Sequence, residues 1–154
     1  MPANTARVVY GTIVVATLLA AESAQKETYV KTVIAVMIAI LVYWLAHSYA
    51  ESAAQRLTRG TRLNPKAVAG SMLHEAPILA GAAIPLLSLL VWWAAGAALT
   101  NAVSAAIWTA AGTIVLIELI AGIRAKLTGI ELIAQTLVGA ALGCLVIGLK
   151  LVLH

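Results

Sequence analysis

Few side chains in this sequence can do chemistry, and they gather where apolar runs meet polar ones. His47 and Glu51 are four residues apart, one helical turn on one face, while His74 and Glu75 are adjacent. Imidazole with carboxylate suits zinc, iron(II) or manganese(II), and the same groups can relay protons because histidine titrates near neutral pH. Glu118 is the sharper case. It lies in TIVLIELIAGIR, about 9 Å of helical rise before Arg124 and inside an apolar segment. A carboxylate at such a depth is either neutral or meets a cation or donor from another helix, so it is a candidate proton or cation carrier. Plainer readings stand beside these. The histidine–acid pairs can be hydrated at headgroup level next to Arg56 or Arg59, and Glu118 can bond to Gln135, Thr136 or a hydroxyl and so join two helices.

The elements that must position these groups follow from composition. The 154 residues are 62% hydrophobic and only 10% charged, which excludes an ordinary water-soluble domain. The apolar stretches are continuous rather than alternating, so helices and not a barrel are expected. Residues 32 to 50 and 132 to 149 each lack Asp, Glu, Lys and Arg over one bilayer crossing; residues 76 to 117 do so over two, with Gly96, Thr100 and Asn101 offering a turn. Val8 to Ala21 is shorter. It is counted as a span extended to about residue 24, not as a cleaved leader. The predicted fold is an all-α integral membrane bundle of five transmembrane helices in one domain, with spans at about 8–24, 30–50, 74–98, 102–123 and 130–152.

The only sizeable loop is about 51–73. Its first part continues span two until Gly60, and Asn64 with Pro65 starts a short helix running through KAVAGSML into span three. If this loop is cytoplasmic, seven basic residues (Arg7, Arg56, Arg59, Arg62, Lys66, Arg124, Lys126) face inward and three (Lys26, Lys31, Lys150) outward, with Lys150 snorkelling to the surface. The bias favours an N-in, C-out topology in a bacterial inner membrane. A net charge of +4 is therefore assigned to topology and not to nucleic-acid binding.

Other features have structural readings. Glu22 and Lys26 pair along a connector that also holds Glu27, Pro77 and Pro85 can kink span three, and Gly139 with Gly143 forms a close-packing face. Cys144 is the single cysteine, so no disulfide or CxxC site exists within one chain. Nucleophile elbow, phosphate-binding glycine loop and HExxH are all missing, so no enzymatic activity and no resident cofactor is expected; a divalent metal ion enters only as a possible cargo.

Several stretches resemble the vacuolar iron transporter family. LAGAAIPLLSLL in span three is similar to that family's glycine-then-PLLP segment. GIRAKLTGIELIAQTLVGAALGCLVIGLKLVL resembles its RxxLTG turn and small-residue last helix, and AHSYAESAAQR resembles the GEY-containing end of its second span. The likeness covers about two thirds of the chain. It departs from the family in YGTIVVATL, which lacks the first-span acid, and in span two, where Ser48, His47 and Trp44 stand at the positions of the family's glutamate, glycine and methionine. The glutamate-rich inner helices are replaced by a short basic loop that would repel cations. The resemblance implies a five-span fold, a homodimer, and divalent-cation and proton exchange through a substitute site of His47, Glu51, His74, Glu75 and Glu118. The competing expectation is a non-transporting membrane subunit or scaffold, whose Gly/Ala-rich faces dock partner membrane proteins and whose basic loop meets anionic lipid.

Overall fold

The computed structural model describes residues 3–21, 28–60 and 64–153, and every regular element among these is an α-helix. Six helices follow in order: α1 (Ala3–Ala21), α2 (Tyr29–Arg59), α3 (Pro65–His74), α4 (Pro77–Ala94), α5 (Leu99–Arg124) and α6 (Ile130–Leu153). All but α3 are long and apolar enough to cross a membrane, which gives five candidate spans. Glu22, Lys26, Glu27 and Arg62 lie outside the described residues.

The first helix begins earlier than its apolar run, at Ala3, and takes Arg7 into its second turn. It is the least apolar of the five, with mean hydropathy 1.4 against 1.8 to 2.2 for the rest. Its surroundings tolerate this. Helices α4, α5 and α6 pack around it, and Val15, Ala16, Leu19 and Ala20 are fully buried, so α1 exchanges lipid for protein over much of its surface. Its crossing with α4 is set by two glycines. A Cβ on Gly11 would lie 1.9 Å from the Ile78 carbonyl oxygen, and one on Gly81 would lie 1.9 Å from that of Val8. Thr12 fastens the crossing, its Oγ1 donating to the Gly81 carbonyl at 3.0 Å and to that of Val8 at 2.9 Å.

Helix α2 runs well past the length of one crossing and stops at Gly60, whose φ of 62° is the left-handed C-cap that favours glycine. Asn64 then caps α3, its side chain accepting from the Lys66 amide, with Pro65 in the first turn. The helix does not run on into span three as the sequence predicts. Pro77 has no amide to offer the Leu73 carbonyl, so the ladder breaks in a turn at Glu75–Ala76 and α4 starts at Pro77 rather than residue 74. The turn between α4 and α5 lies earlier than predicted, at 95–98 rather than 99–101. Gly96, at φ 75°, carries it, whereas Thr100 and Asn101 belong to α5.

Against α6, α5 packs along small residues: a Cβ on Gly143 would press on Ala111, and one on Gly139 on the Glu118 side chain. Helix α2 is the peripheral span. Its Ile34, Met37, Ile38, Leu41 and Val42 are about half exposed, as suits a lipid-facing helix.

Candidate functional site

One end of the bundle gathers Arg7 at the start of α1, Tyr43, Trp44, His47 and Ser48 on α2, and Glu75 in the turn that α3 and α4 share. Arg7 Nε donates to Glu75 Oε2 at 2.8 Å, and His47 Nε2 lies 3.5 Å from the same oxygen. The Glu75 side chain is 3% exposed, so a carboxylate has been drawn out of solvent and matched with a guanidinium across 68 positions of sequence. Asn4 accepts a further bond from Arg7 Nη1. Three rings cover the pair: Tyr10 and Tyr43 with centroids 5.5 Å apart, and His47 stacked on Tyr43 at 6.1 Å. Helical spacing explains the assembly, because Tyr43 and His47 are one turn apart on α2, as Arg7 and Tyr10 are on α1.

Three polar atoms of this stretch of α2 are buried without a hydrogen-bond partner: the Tyr43 hydroxyl, Trp44 Nε1 and Ser48 Oγ. The Tyr43 hydroxyl lies beside that of Tyr10 but closes no bond of normal geometry with it. In a membrane such groups cannot turn to bulk water.

The two histidine–acid pairs do not converge as pairs. His47 and Glu75 come together and Arg7 sits on them, whereas His74 is exposed at the end of α3 and Glu51 bonds to Gln55 one turn along its own helix. Glu118 belongs to a different interface. Its Oε2 accepts from Gln135 Nε2 at 3.0 Å, which fixes α5 to α6 at the level where Gly139 lets the carboxylate's own stem approach. Of the two readings left open by the sequence, the geometry at Glu118 is that of a clasp. No cluster of three or more metal-ligating side chains forms among the described residues. Chemically, Arg7 neutralises the acid that His47 would need as a co-ligand, so a cation arriving at Glu75 must displace a guanidinium.

The opposite end is closed by different contacts. The Tyr29 hydroxyl donates to the Ala97 carbonyl at 2.6 Å and its ring stacks on Trp93 at 5.6 Å. Lys150 turns inward to Ser104 on α5 rather than snorkelling away, and Ser88 bonds Thr109 between α4 and α5 at 3.1 Å.

Arg7, Tyr10 and Tyr43 are the members of the site that sequence reasoning passed over, whereas Trp44 and Ser48 entered it only as departures from a family's pattern. Arg7 was assigned to topology by its place before an apolar run; its pairing depends on where the α3–α4 turn lands. The spacing of Tyr43 and His47 was the available signal. No family model, curated protein or solved structure matches this chain.

Proposed function

We propose that this chain is a small polytopic subunit of a bacterial cytoplasmic membrane, oriented N-in and C-out, which packs against partner membrane proteins and lipid without itself moving ions. One observation supports it above others: the acids and the lysine held deepest in the bundle are engaged by neighbours in the same chain. Gln135 holds Glu118, Arg7 and His47 hold Glu75, and Ser104 holds Lys150. A carrier carboxylate has to be vacated and refilled at each cycle, whereas these partners hold the helices together.

The test is reconstitution of the purified protein in vesicles containing a pH-sensitive dye, challenged with iron(II), manganese(II), zinc and sodium. The expected result is no flux above empty vesicles for the natural chain and for Glu118→Gln alike, with a membrane partner co-purifying after cross-linking. Ion-dependent proton movement that Glu118→Gln abolishes overturns the proposal.

That second outcome is the transport reading, in which a divalent cation exchanges for protons along His47, Glu51, His74, Glu75 and Glu118. It draws support from the shared oxygen of Glu75, which His47 approaches beside an unpaired Tyr43 hydroxyl. Such an arrangement can pass a proton between imidazole and carboxylate.

A further inference from the structure

No acid lies between Glu51 and Glu75, a stretch that holds Arg56, Arg59, Arg62 and Lys66. Most of it is built into a hairpin that leaves the bundle. The uncharged run of α2, residues 32 to 50, already fills one crossing, so Glu51–Arg59 carries the helix about 13 Å further, and α3 folds back along it. Among the described residues α3 packs on α2 and on no other helix to a comparable extent. Two leucines of the hairpin stand bare. Leu57 is 86% and Leu73 77% exposed, whereas no large apolar side chain on the membrane-crossing part of α2 exceeds 59%. The cations beside them are unmatched. Arg56 donates Nε to the Ser52 carbonyl at 3.3 Å, which leaves its terminal nitrogens for another acceptor, and neither it nor Lys66 meets an acid among the described residues. A groove of about 420 Å³ bounded by Ala53, Arg56, Leu57 and Gly60 sets this cation and an apolar wall against one space.

We propose that the hairpin is an interfacial arm which binds the anionic phospholipid surface of the leaflet from which it emerges, its cations on lipid phosphates and Leu57 and Leu73 seated among the headgroups. Orienting the chain in the membrane needs the cations alone, since that bias counts charge and is indifferent to apolar neighbours. Bare leucines beside unmatched cations are instead what a helix bound at a membrane surface presents. Reach agrees with this. The hairpin is joined to α2 at one end and through Glu75–Ala76 to α4 at the other, so both of its ends are fixed at the headgroup level. An acidic protein would also meet the cations, but it must be recruited from solution, whereas the leaflet lies at the foot of the arm at high effective concentration.

The inference rests on the membrane reading and names the lipid surface on which this subunit packs; it holds whether or not ions move. The full chain carrying Cys144→Ala and Thr58→Cys, labelled at position 58 with an environment-sensitive fluorophore, is reconstituted in phosphatidylcholine vesicles with increasing fractions of phosphatidylglycerol. Thr58 is exposed next to Leu57, so the label reports on the arm without replacing a residue assigned to the contact. Emission should move to the blue as phosphatidylglycerol is added and return in about 1 M salt, where the screening length falls to about 3 Å. At fixed lipid composition Arg56→Gln and Lys66→Gln should each lower the ratio of seated to free arm about fivefold, and Leu57→Ser at least about threefold. A label placed by Asn101→Cys, exposed on the first turn of α5 at the opposite end, should not respond. The proposal is overturned if emission is the same with and without phosphatidylglycerol, if salt leaves the shift in place, if Leu57→Ser has no effect, or if the label at position 101 moves as much. It is equally overturned if polyglutamate or inorganic phosphate, added to phosphatidylcholine vesicles, produces the shift; polyglutamate would assign the arm to an acidic protein. A chain that needs no detergent to stay in solution would instead refute the membrane reading itself.

Discussion

Replacing Gly81 by alanine adds one methyl group where α1 and α4 touch backbone to backbone. Its carbon would lie 1.9 Å from the Val8 carbonyl oxygen, and contacts under 3.0 Å are essentially never tolerated, so the helices must part by more than an ångström. A backbone carbonyl cannot swing aside as a flexible side chain can. The separation also stretches the 3.0 Å bond from Thr12 to the Gly81 carbonyl and loosens the contact of Gly11 with Ile78 on the same crossing. Overpacking of this kind costs about 1–3 kcal/mol, and the loosened hydrogen bond adds about 1. Against this, alanine gains up to about 1 kcal/mol of helix propensity over glycine. A net loss of about 1–3 kcal/mol follows, or roughly 2–12 °C in melting temperature for a domain of this size. Gly112→Ala is the matched control, since nothing lies within 4 Å of its Cβ position and the same propensity gain applies. Thermal unfolding in one detergent, followed by circular dichroism, compares the two. If Gly81→Ala melts within 2 °C of Gly112→Ala, the close crossing is not what holds α1 to α4 and the reasoning fails.

Arg7→Met should destabilise by about 3 kcal/mol, because it leaves Glu75 charged and buried; adding Glu75→Gln should recover much of that, a coupling that a double-mutant cycle in denaturant measures. Gln135→Leu, which strips the donor from Glu118, should cost about 1–3 kcal/mol in the same assay, whereas Glu118→Gln keeps an amide pair at that position and should melt within a few degrees of the natural chain. Cys144 is exposed on the middle of α6. In membranes it should resist a charged maleimide yet react once the chain is unfolded in detergent, because the thiolate needs water to form; rapid labelling in intact vesicles would remove α6 from the bilayer.

Much of the fold was legible because long uncharged runs have one solution in lipid, and because Gly60, Asn64 and Pro65 are punctuation whose chemistry is local. The boundary errors have local causes too. Counting Arg7 as a stop shortened α1, although a guanidinium paired with Glu75 can sit within the helix, and the proline at the start of α4 was taken as a kink when it ended α3. The site was legible only in part. His47 and Glu75 were singled out by type, but the sequence holds no trace of which acid a histidine will face when the two lie 28 positions apart and a third residue, near the N-terminus, completes the set. At Glu118 both the carrier and the glue were foreseeable. That Gln135 is the neighbour it meets depends on the rotation of α6, which brings that amide round to the carboxylate.

The central place of α1 has a consequence for biogenesis. The helix precedes α4 in the chain, so the partners it depends on, Gly81, Ile78 and Glu75, are translated some seventy residues after it. Until they arrive, a weakly apolar segment with a charged arginine and a notch of bare backbone must wait in or beside the translocon. Final docking of α1 is then a step after insertion, and a chain cut before α4 would present quality-control proteases with an orphan helix.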